Sequence, residues 1–417
     1  MDLRSQDWRD RIIWKCRRDI GSTAYANTAK QRLLFLRRTT SFGGADVVIL
    51  DLLKGIDYHA NGVCLASSVD YFSRLLRDLE LPVACVPITA SFNGGFVRVF
   101  VSWVRYLRRL RPDKIVIAEG GFREFALAPA LAAFAVARGN VWLIELHPAA
   151  EPSNGDSRAS RRLIPLSLRE RARVRLARGV LSVSHGVKDR LVRMYGYSPE
   201  RVNVVHHGVD IKRFAPASKD ARKALRGQFG IKDDAVVMVS TARLVPTKRL
   251  DRLVRAFDVV SAERSNLWLL LTGDGPERGE LERLSASVCG RENIRFLGDV
   301  PDVSDVLRAG DVYVLPSNEE GFGIALVEAM ACELVCVATR TVGPSEIIED
   351  GVNGLLTEVS YEGVLGGVRR ALELGHNEAE ALGRRAREKV VADFRVETAV
   401  AKGLGFMEIT AAVSAAR

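Results

Sequence analysis

At 417 residues, with 47% hydrophobic and 27% charged side chains, the chain is long enough for two hydrophobic cores and carries no disorder signature. No run of eighteen apolar residues occurs, so no membrane-spanning helix is expected. The six cysteines (Cys16, Cys64, Cys85, Cys289, Cys332 and Cys336) are scattered without a C-x-x-C pair, the pattern of reduced thiols and not of a zinc site. The net charge of +10 is lopsided: residues 1–200 hold 32 Lys/Arg against 19 Asp/Glu, and the rest hold 29 against 32.

Residues 1–30 read as an extension. Charges run throughout it (Arg4, Asp7, Arg9, Asp10, Arg11, Lys15, Arg17, Arg18, Asp19), without the apolar centre of a secretory signal. The first strand is predicted over Arg32–Arg37, after which Gly43 and Gly44 open a helical stretch. Further strands are predicted at Val83–Val86, Lys114–Ala118, Val141–Glu145 and Val180–Val183, with helical patterns between them. That alternation implies a parallel sheet covered on both faces.

The second half repeats the alternation. Strands are predicted at Ala235–Ser240, Leu267–Leu271, Ile294–Leu297, Val312–Pro316 and Val335–Ala338. Helices are predicted at Arg249–Ala262, Arg278–Ser287, Val303–Ala309 and Ile324–Cys332. Two Rossmann-like halves in series result, joined near Gly208–Ala217. The last segment, Val396–Ala416, has a helical pattern interrupted by Gly403 and Gly405.

The basic surplus peaks at Arg158, Arg161, Arg162, Arg169, Arg171, Arg173, Arg175 and Arg178, against Glu170 alone. A second cluster, Arg105, Arg108, Arg109 and Arg111, shares its segment with Trp103, Val104, Tyr106, Leu107 and Leu110. Such basic amphipathic segments suit an anionic membrane surface or a solvated helix face. No nucleic-acid-binding motif accompanies them.

Ligands of open parallel sheets bind beyond the carboxyl ends of strands, and two strings stand there. In Ser317-Asn318-Glu319-Glu320-Gly321-Phe322-Gly323-Ile324-Ala325-Leu326-Val327-Glu328, two glutamates flank a glycine turn that opens a helix. Gly321 and Gly323 leave backbone N–H groups bare, and the helix start favours a phosphate. Glu328, two turns on, can accept bonds from ribose hydroxyls, and Glu320 can bind sugar hydroxyls or balance charge at a reacting carbon. In Ser240-Thr241-Ala242-Arg243-Leu244-Val245-Pro246-Thr247-Lys248, the cations Arg243 and Lys248 can hold a departing diphosphate. Read singly, these residues are better explained as a capping turn and solvated surface charges; the whole strings are far more specific.

Together the strings resemble glycosyltransferase family 4, a retaining family of the GT-B fold, from about Arg32 onward and most closely over Val180–Leu356. The family's glutamate pair matches Glu320 and Glu328, and its diphosphate clamp matches Arg243 and Lys248. Val205-His206-His207-Gly208-Val209-Asp210 with Phe214, Gly273–Pro276, Gly343-Pro344-Ser345-Glu346 and Gly351-Val352-Asn353-Gly354 match further family segments. Phe42-Gly43-Gly44-Ala45 resembles its glycine loop, and His147 its active-site histidine. The usual glycines give way to Ala242 before the clamp arginine and Arg249 after the lysine, and Cys332-Glu333-Leu334 replaces a Gly-x-Pro.

The resemblance implies two Rossmann-like domains facing across a cleft. Residues 31–210 would form the acceptor domain and 211–395 the nucleotide-sugar domain, with 396–417 crossing back. Glu320, His147, Arg243 and Lys248 would be catalytic. Arg243, Lys248, Gly273, Glu320, Gly321, Phe322, Gly323, Ile324, Leu326, Glu328, Gly43 and Gly44 would bind a UDP-sugar or GDP-mannose donor. No Asp-x-Asp triplet is present, so no metal or other cofactor is expected. The acceptor would be a glycan or lipid-linked hydroxyl in cell-envelope polysaccharide, lipopolysaccharide or glycolipid synthesis. The location would be cytoplasmic, with the inner membrane face as a peripheral partner and no nucleic acid. A nucleotide-sugar epimerase and a non-catalytic scaffold are the rival readings. A dinucleotide oxidoreductase is disfavoured, since no G-x-G-x-x-G follows the first strand.

Overall fold

The computed structural model describes residues 31–38, 43–68, 71–90, 93–119, 127–146, 175–300 and 302–412. The extension 1–30, Phe42, His147 and the arginines from Arg158 to Arg173 therefore lie outside the described residues. The chain divides into two compact units. One is Met1–Val183, Val187–Val205 and Val400–Arg417; the other is Ser184–Gly186 and His206–Ala399.

The first unit runs β1 (Gln31–Arg37), α1 (Gly44–Lys54), β2 (Asn61–Ser67), α2 (Tyr71–Asp78), β3 (Val83–Pro87), α3 (Phe96–Leu110), β4 (Lys114–Glu119), α4 (Leu127–Val136), β5 (Val141–Glu145), β6 (Gly179–Ser182), α5 (His185–Tyr195) and β7 (Val202–Val204). The first two residues of α5 group with the second unit. The sheet is parallel throughout, in the order β3-β2-β1-β4-β5-β6-β7. β1 lies inside the sheet between β2 and β4, and its Leu33, Leu34, Phe35 and Leu36 are buried. Continuous apolar runs of this kind mark strands with helices above and below.

Lys114 opens β4 but is almost fully buried. Its Nζ donates to Met407 O and, at 2.8 Å, to Glu408 O, tying the C-terminal segment to the sheet. Burial pushes its pKa down to about 8.

The second unit runs α6 (Lys219–Gln228), β8 (Val236–Thr241), α7 (Leu250–Glu263), β9 (Leu267–Thr272), α8 (Arg278–Ser285), β10 (Ile294–Gly298), α9 (Ser304–Ala309), β11 (Val312–Leu315), α10 (Ile324–Ala331), β12 (Val335–Thr339), α11 (Pro344–Ile347), β13 (Leu355–Thr357), α12 (Tyr361–Glu373) and α13 (His376–Asp393). α14 (Val396–Phe406) groups with this unit as far as Ala399 and with the first from Val400. The sheet order is β10-β9-β8-β11-β12-β13, again all parallel. Its core centres on Leu253, Phe257, Leu269, Val314 and Val368.

Several elements depart from the sequence reading. β2, β7, β13 and α6 were not anticipated, and the helix predicted to Ala416 stops at Phe406 with Gly403 and Gly405 inside it. Gly403 is used for closeness: a Cβ there would sit 3.2 Å from Leu52 and 3.3 Å from Leu181. α6 lacks an apolar face because an arginine docks it. The buried Arg226 donates to Asp233 O, Ala235 O and Ala309 O at 2.8–3.0 Å, and its Nη2 lies 2.6 Å from Asp311 Oδ2.

Candidate functional site

In the second unit the strand order reverses between β8 and β11, the point where open parallel sheets take ligands. The two strings singled out for chemistry leave these two strands. β8 runs into Ala242–Lys248, and β11 into Ser317–Gly323. The N–H of Asn318 donates to Thr247 O at 2.9 Å, joining the loops. Lys248 Nζ lies 2.5 Å from Glu320 Oε2, with the side chains 19% and 13% exposed. Ser317 Oγ donates to the same oxygen at 3.4 Å. Such a partly desolvated, charge-assisted pair is held more firmly than a surface ion pair. Arg243 is exposed on the same loop as Lys248.

The glutamate turn is braced by its neighbours. Thr339 Oγ1 donates to Ser317 O at 2.6 Å, and the N–H of Gly343 donates to Glu320 O at 2.9 Å. A Cβ on Gly343 would lie 2.2 Å from Phe322 O, so only glycine fits against the turn. Gly323 has φ +105° and caps α10. Leu326 is fully buried; its N–H and that of Val327 donate to Gly323 O. The helix geometry leaves the N–H groups of Ile324 and Ala325 for an outside acceptor, at the positive end of the dipole. Glu328 is half-buried on α10, and Gly321 is buried in the turn.

The Thr272–Pro276 turn supports the clamp loop. Gly273 has φ +115°, and a Cβ there would lie 2.0 Å from Ala242 O. A Cβ on Gly275 would meet Leu244 O at 2.3 Å, and Leu244 N donates to Asp274 O at 2.9 Å. Gly273 therefore shapes the loop that carries Arg243. Two departures from the family pattern fall on positive-φ backbone: Arg249 at φ 50° and Glu333 at φ 64°. Asp251 compensates at the first, taking two bonds from the Arg249 guanidinium at 2.9 and 2.8 Å, and that guanidinium holds the Asp251 carboxyl below its usual range.

In the first unit, Gly43 caps α1 with extended backbone, and its N–H donates to Asp46 Oδ2 at 2.8 Å. Asp46 and Arg37 are both buried and joined at 2.7 Å, so a buried ion pair fixes the start of the Gly43-Gly44 stretch. Pattern reading had no reason to join Arg37 to Asp46.

A third group went unnoticed as a unit. Phe322 is 3% exposed; its ring stacks on His206 at 5.6 Å and meets Phe394 edge-on at 5.6 Å. Glu346 accepts the N–H groups of His185 at 2.9 Å and Gly186 at 2.7 Å, and lies 3.1 Å from His206 Nε2. Burial raises the Glu346 carboxyl, but the bonds from His206, Gly186 and His185 outweigh it and hold the group below its usual range. His207, next to His206 in the chain, is buried, and that burial pushes its pKa down to about 4 and keeps it neutral.

Comparison with known proteins covers both units. The family described as "Glycosyltransferase Family 4" matches residues 42–213, and that described as "Glycosyl transferases group 1" matches 221–389. The D-inositol 3-phosphate glycosyltransferase 2 of Catenulispora acidiphila is 33% identical over 211 residues, 46% of this chain and 49% of the relative. The N-acetyl-alpha-D-glucosaminyl L-malate synthase of Bacillus anthracis is 33% identical over 180 residues, 43% and 46%. The chain thus spans about half the length of the curated relatives it matches. Among solved structures, Anabaena HepE in complex with UDP and glucose superposes with a TM-score of 0.74 at 22% identity, covering 91% of this chain and 99% of HepE. WaaG, a glycosyltransferase involved in lipopolysaccharide biosynthesis, gives 0.66 at 17%, covering 90% and 99%. These likenesses establish the fold as GT-B. With the two matches accounting for both units and the glutamate and clamp strings in place, the chain belongs to glycosyltransferase family 4.

Proposed function

We propose that the chain is a retaining glycosyltransferase that moves a sugar from a nucleotide-diphosphate sugar to a hydroxyl acceptor. The observation that carries this reading is the Lys248–Glu320 pair at the strand-order reversal, beside the start of α10. In the free chain the two charges satisfy each other. An incoming diphosphate would recruit Lys248 and Arg243, releasing Glu320 toward the sugar. Positive side chains and the bare N–H groups of α10 stabilise the negative charge that builds as the diphosphate departs. The acceptor hydroxyl attacks the same face of the sugar as the sugar–diphosphate bond breaks, its proton passing to the departing diphosphate. Glu320 positions the donor and offsets positive charge at the reacting carbon, while Glu328 serves the ribose hydroxyls. The proposal assigns polar contact with the sugar to His147, and no metal takes part.

A UDP-sugar or GDP-mannose is the proposed donor. HepE has been solved with UDP-glucose, and a similar mannosyltransferase of Corynebacterium glutamicum is named GDP-mannose-dependent. The proposed acceptor is anionic or lipid-linked, as in cell-envelope glycan synthesis. The Catenulispora relative is named for an inositol phosphate and the Bacillus one for malate, both anionic. Helix α3 supports the same direction. It buries Val99, Trp103, Tyr106 and Leu107 and leaves Phe96, Val97 and Val101 exposed. Arg98, Arg105 and Arg109 line a cavity of about 380 Å³ with Thr89 and Ser102. No helix among the described residues is long and apolar enough to cross a membrane, so contact with an anionic inner-membrane surface would be peripheral.

The test is product analysis. Nucleoside diphosphate release that depends on an added acceptor, with the donor's anomeric configuration kept in the product, is expected. Sugar isomers formed without any acceptor would instead make the chain an epimerase.

A further inference from the structure

His185 opens α5, His206 follows Val205, and Glu346 sits in α11, so the three are far apart in sequence. All three belong to the second unit, and their donor atoms lie within 4.8 Å of one another. Ligands bonded at about 2.0–2.1 Å to one small divalent ion stand roughly 3–4 Å apart. His206 Nε2 and Glu346 Oε2, at 3.1 Å, already have that spacing. A small rotation brings in the exposed His185 ring.

The cluster is pre-oriented. Two backbone N–H groups, of His185 and Gly186, fix the Glu346 carboxylate. They use two of its roughly four acceptor positions, leaving one on each oxygen. The His206 ring is stacked on Phe322 and set edge-on to Phe394 and His185, each at 5.6 Å. Little side-chain freedom remains to be lost on binding. A plain ion pair between His206 and Glu346 makes no use of the third donor.

We propose that His185, His206 and Glu346 bind one divalent transition-metal ion. Two imidazoles and a carboxylate favour Zn²⁺, Co²⁺ or Ni²⁺ over Mg²⁺ and Ca²⁺, which prefer oxygen ligands. Three protein ligands leave at least one position open to water. The ion joins His185, the segment after β7 and α11 at a point packed on Phe322, two residues after Glu320. Its occupancy stiffens the turn that carries Glu320. The site stands whether or not the Lys248–Glu320 pair serves sugar transfer.

The probe is Co²⁺ alone, titrated into the full, untagged, chelator-stripped chain with its accessible thiols alkylated. The expected result is one saturable equivalent with visible d–d absorption, displaced by Zn²⁺ and not by Mg²⁺. His206→Gln and His185→Gln each weaken it tenfold or more, at least as much as losing a group that merely supports a metal ligand, while His376→Gln, at an exposed histidine outside the cluster, leaves it unchanged. His185 is exposed, so its variant tests the site even if His206→Gln fails to fold. The absence of a saturable equivalent, or equal affinity in His185→Gln, overturns the proposal.

Discussion

Lys248 and Glu320 lie 72 positions apart and touch only because β8 and β11 are neighbours. Lys248→Ala and Glu320→Ala are each expected to cut turnover about a hundredfold or more while the chain still folds, with a lowered melting temperature because the remaining charge loses its partner, read as kcat beside a thermal melt. Wild-type-like turnover in either variant removes that residue from the site. Glu333 sits past the end of α10 at φ 64°, where glycine costs least, and its ion pair to Arg387 is long at 3.9 Å. Glu333→Gly is therefore expected to stabilise the protein by about 0.5–1 kcal/mol in denaturant unfolding; a loss of stability means the Arg387 contact matters more than the strain. At this scale the candidate clamp and glutamate residues stand out in the sequence because each sits in a dense local string. The pairing of Lys248 with Glu320, the Arg37–Asp46 support under Gly43 and the His185–His206–Glu346 cluster do not, because each joins residues that only the fold brings together.

Helix α3 carries its apolar and basic residues on one segment, and the pattern was readable in the sequence. Whether its exposed part is merely solvated is decided by binding. Arg105→Gln/Arg109→Gln is expected to weaken association with phosphatidylserine-containing vesicles at low salt by about tenfold or more, at roughly 1 kcal/mol per charge. Donor binding should be untouched; equal vesicle binding by both proteins leaves α3 as a solvated face. The β4 strand was likewise placed correctly, but the partner of its first residue was not foreseeable. Lys114 has a folded pKa of about 8, against 10.5 for the free side chain. The unfolded chain thus holds more protons between those values, and the stability contribution of Lys114 is lost as pH falls from 10.5 toward 8. Wild type is expected to gain on Lys114→Met as pH rises through that window, by up to about 1.4 kcal/mol per pH unit. A constant difference would mean that Lys114 stays solvated. The strands that escaped reading, β2, β7 and β13, are short or interrupted: β7 and β13 have three residues each, and β2 begins Asn61-Gly62. α6 was missed because Arg226, and no apolar stripe, anchors it.

Across the whole molecule, both sheets share one plan, three strands wound one way from the centre and the rest the other way. The alternation of strands and helices announced that plan. The charge is divided unevenly over it: residues 1–200 carry the whole surplus, and the remainder, with the clamp and the glutamates, is slightly acidic. With the acceptor and donor sites placed as proposed, this division suits a reaction in which both substrates are anionic.

The most direct test of the donor assignment is a calorimetry and thermal-shift panel of UDP, GDP, ADP and their common sugars, in chelator. Selective stabilisation by one nucleoside diphosphate and its sugar, abolished in Lys248→Ala, is the predicted result; at a hundredfold excess over the dissociation constant it amounts to about 2.7 kcal/mol. Stabilisation by none of them, with the chain folded, would contradict the account and leave a family 4 fold without a donor.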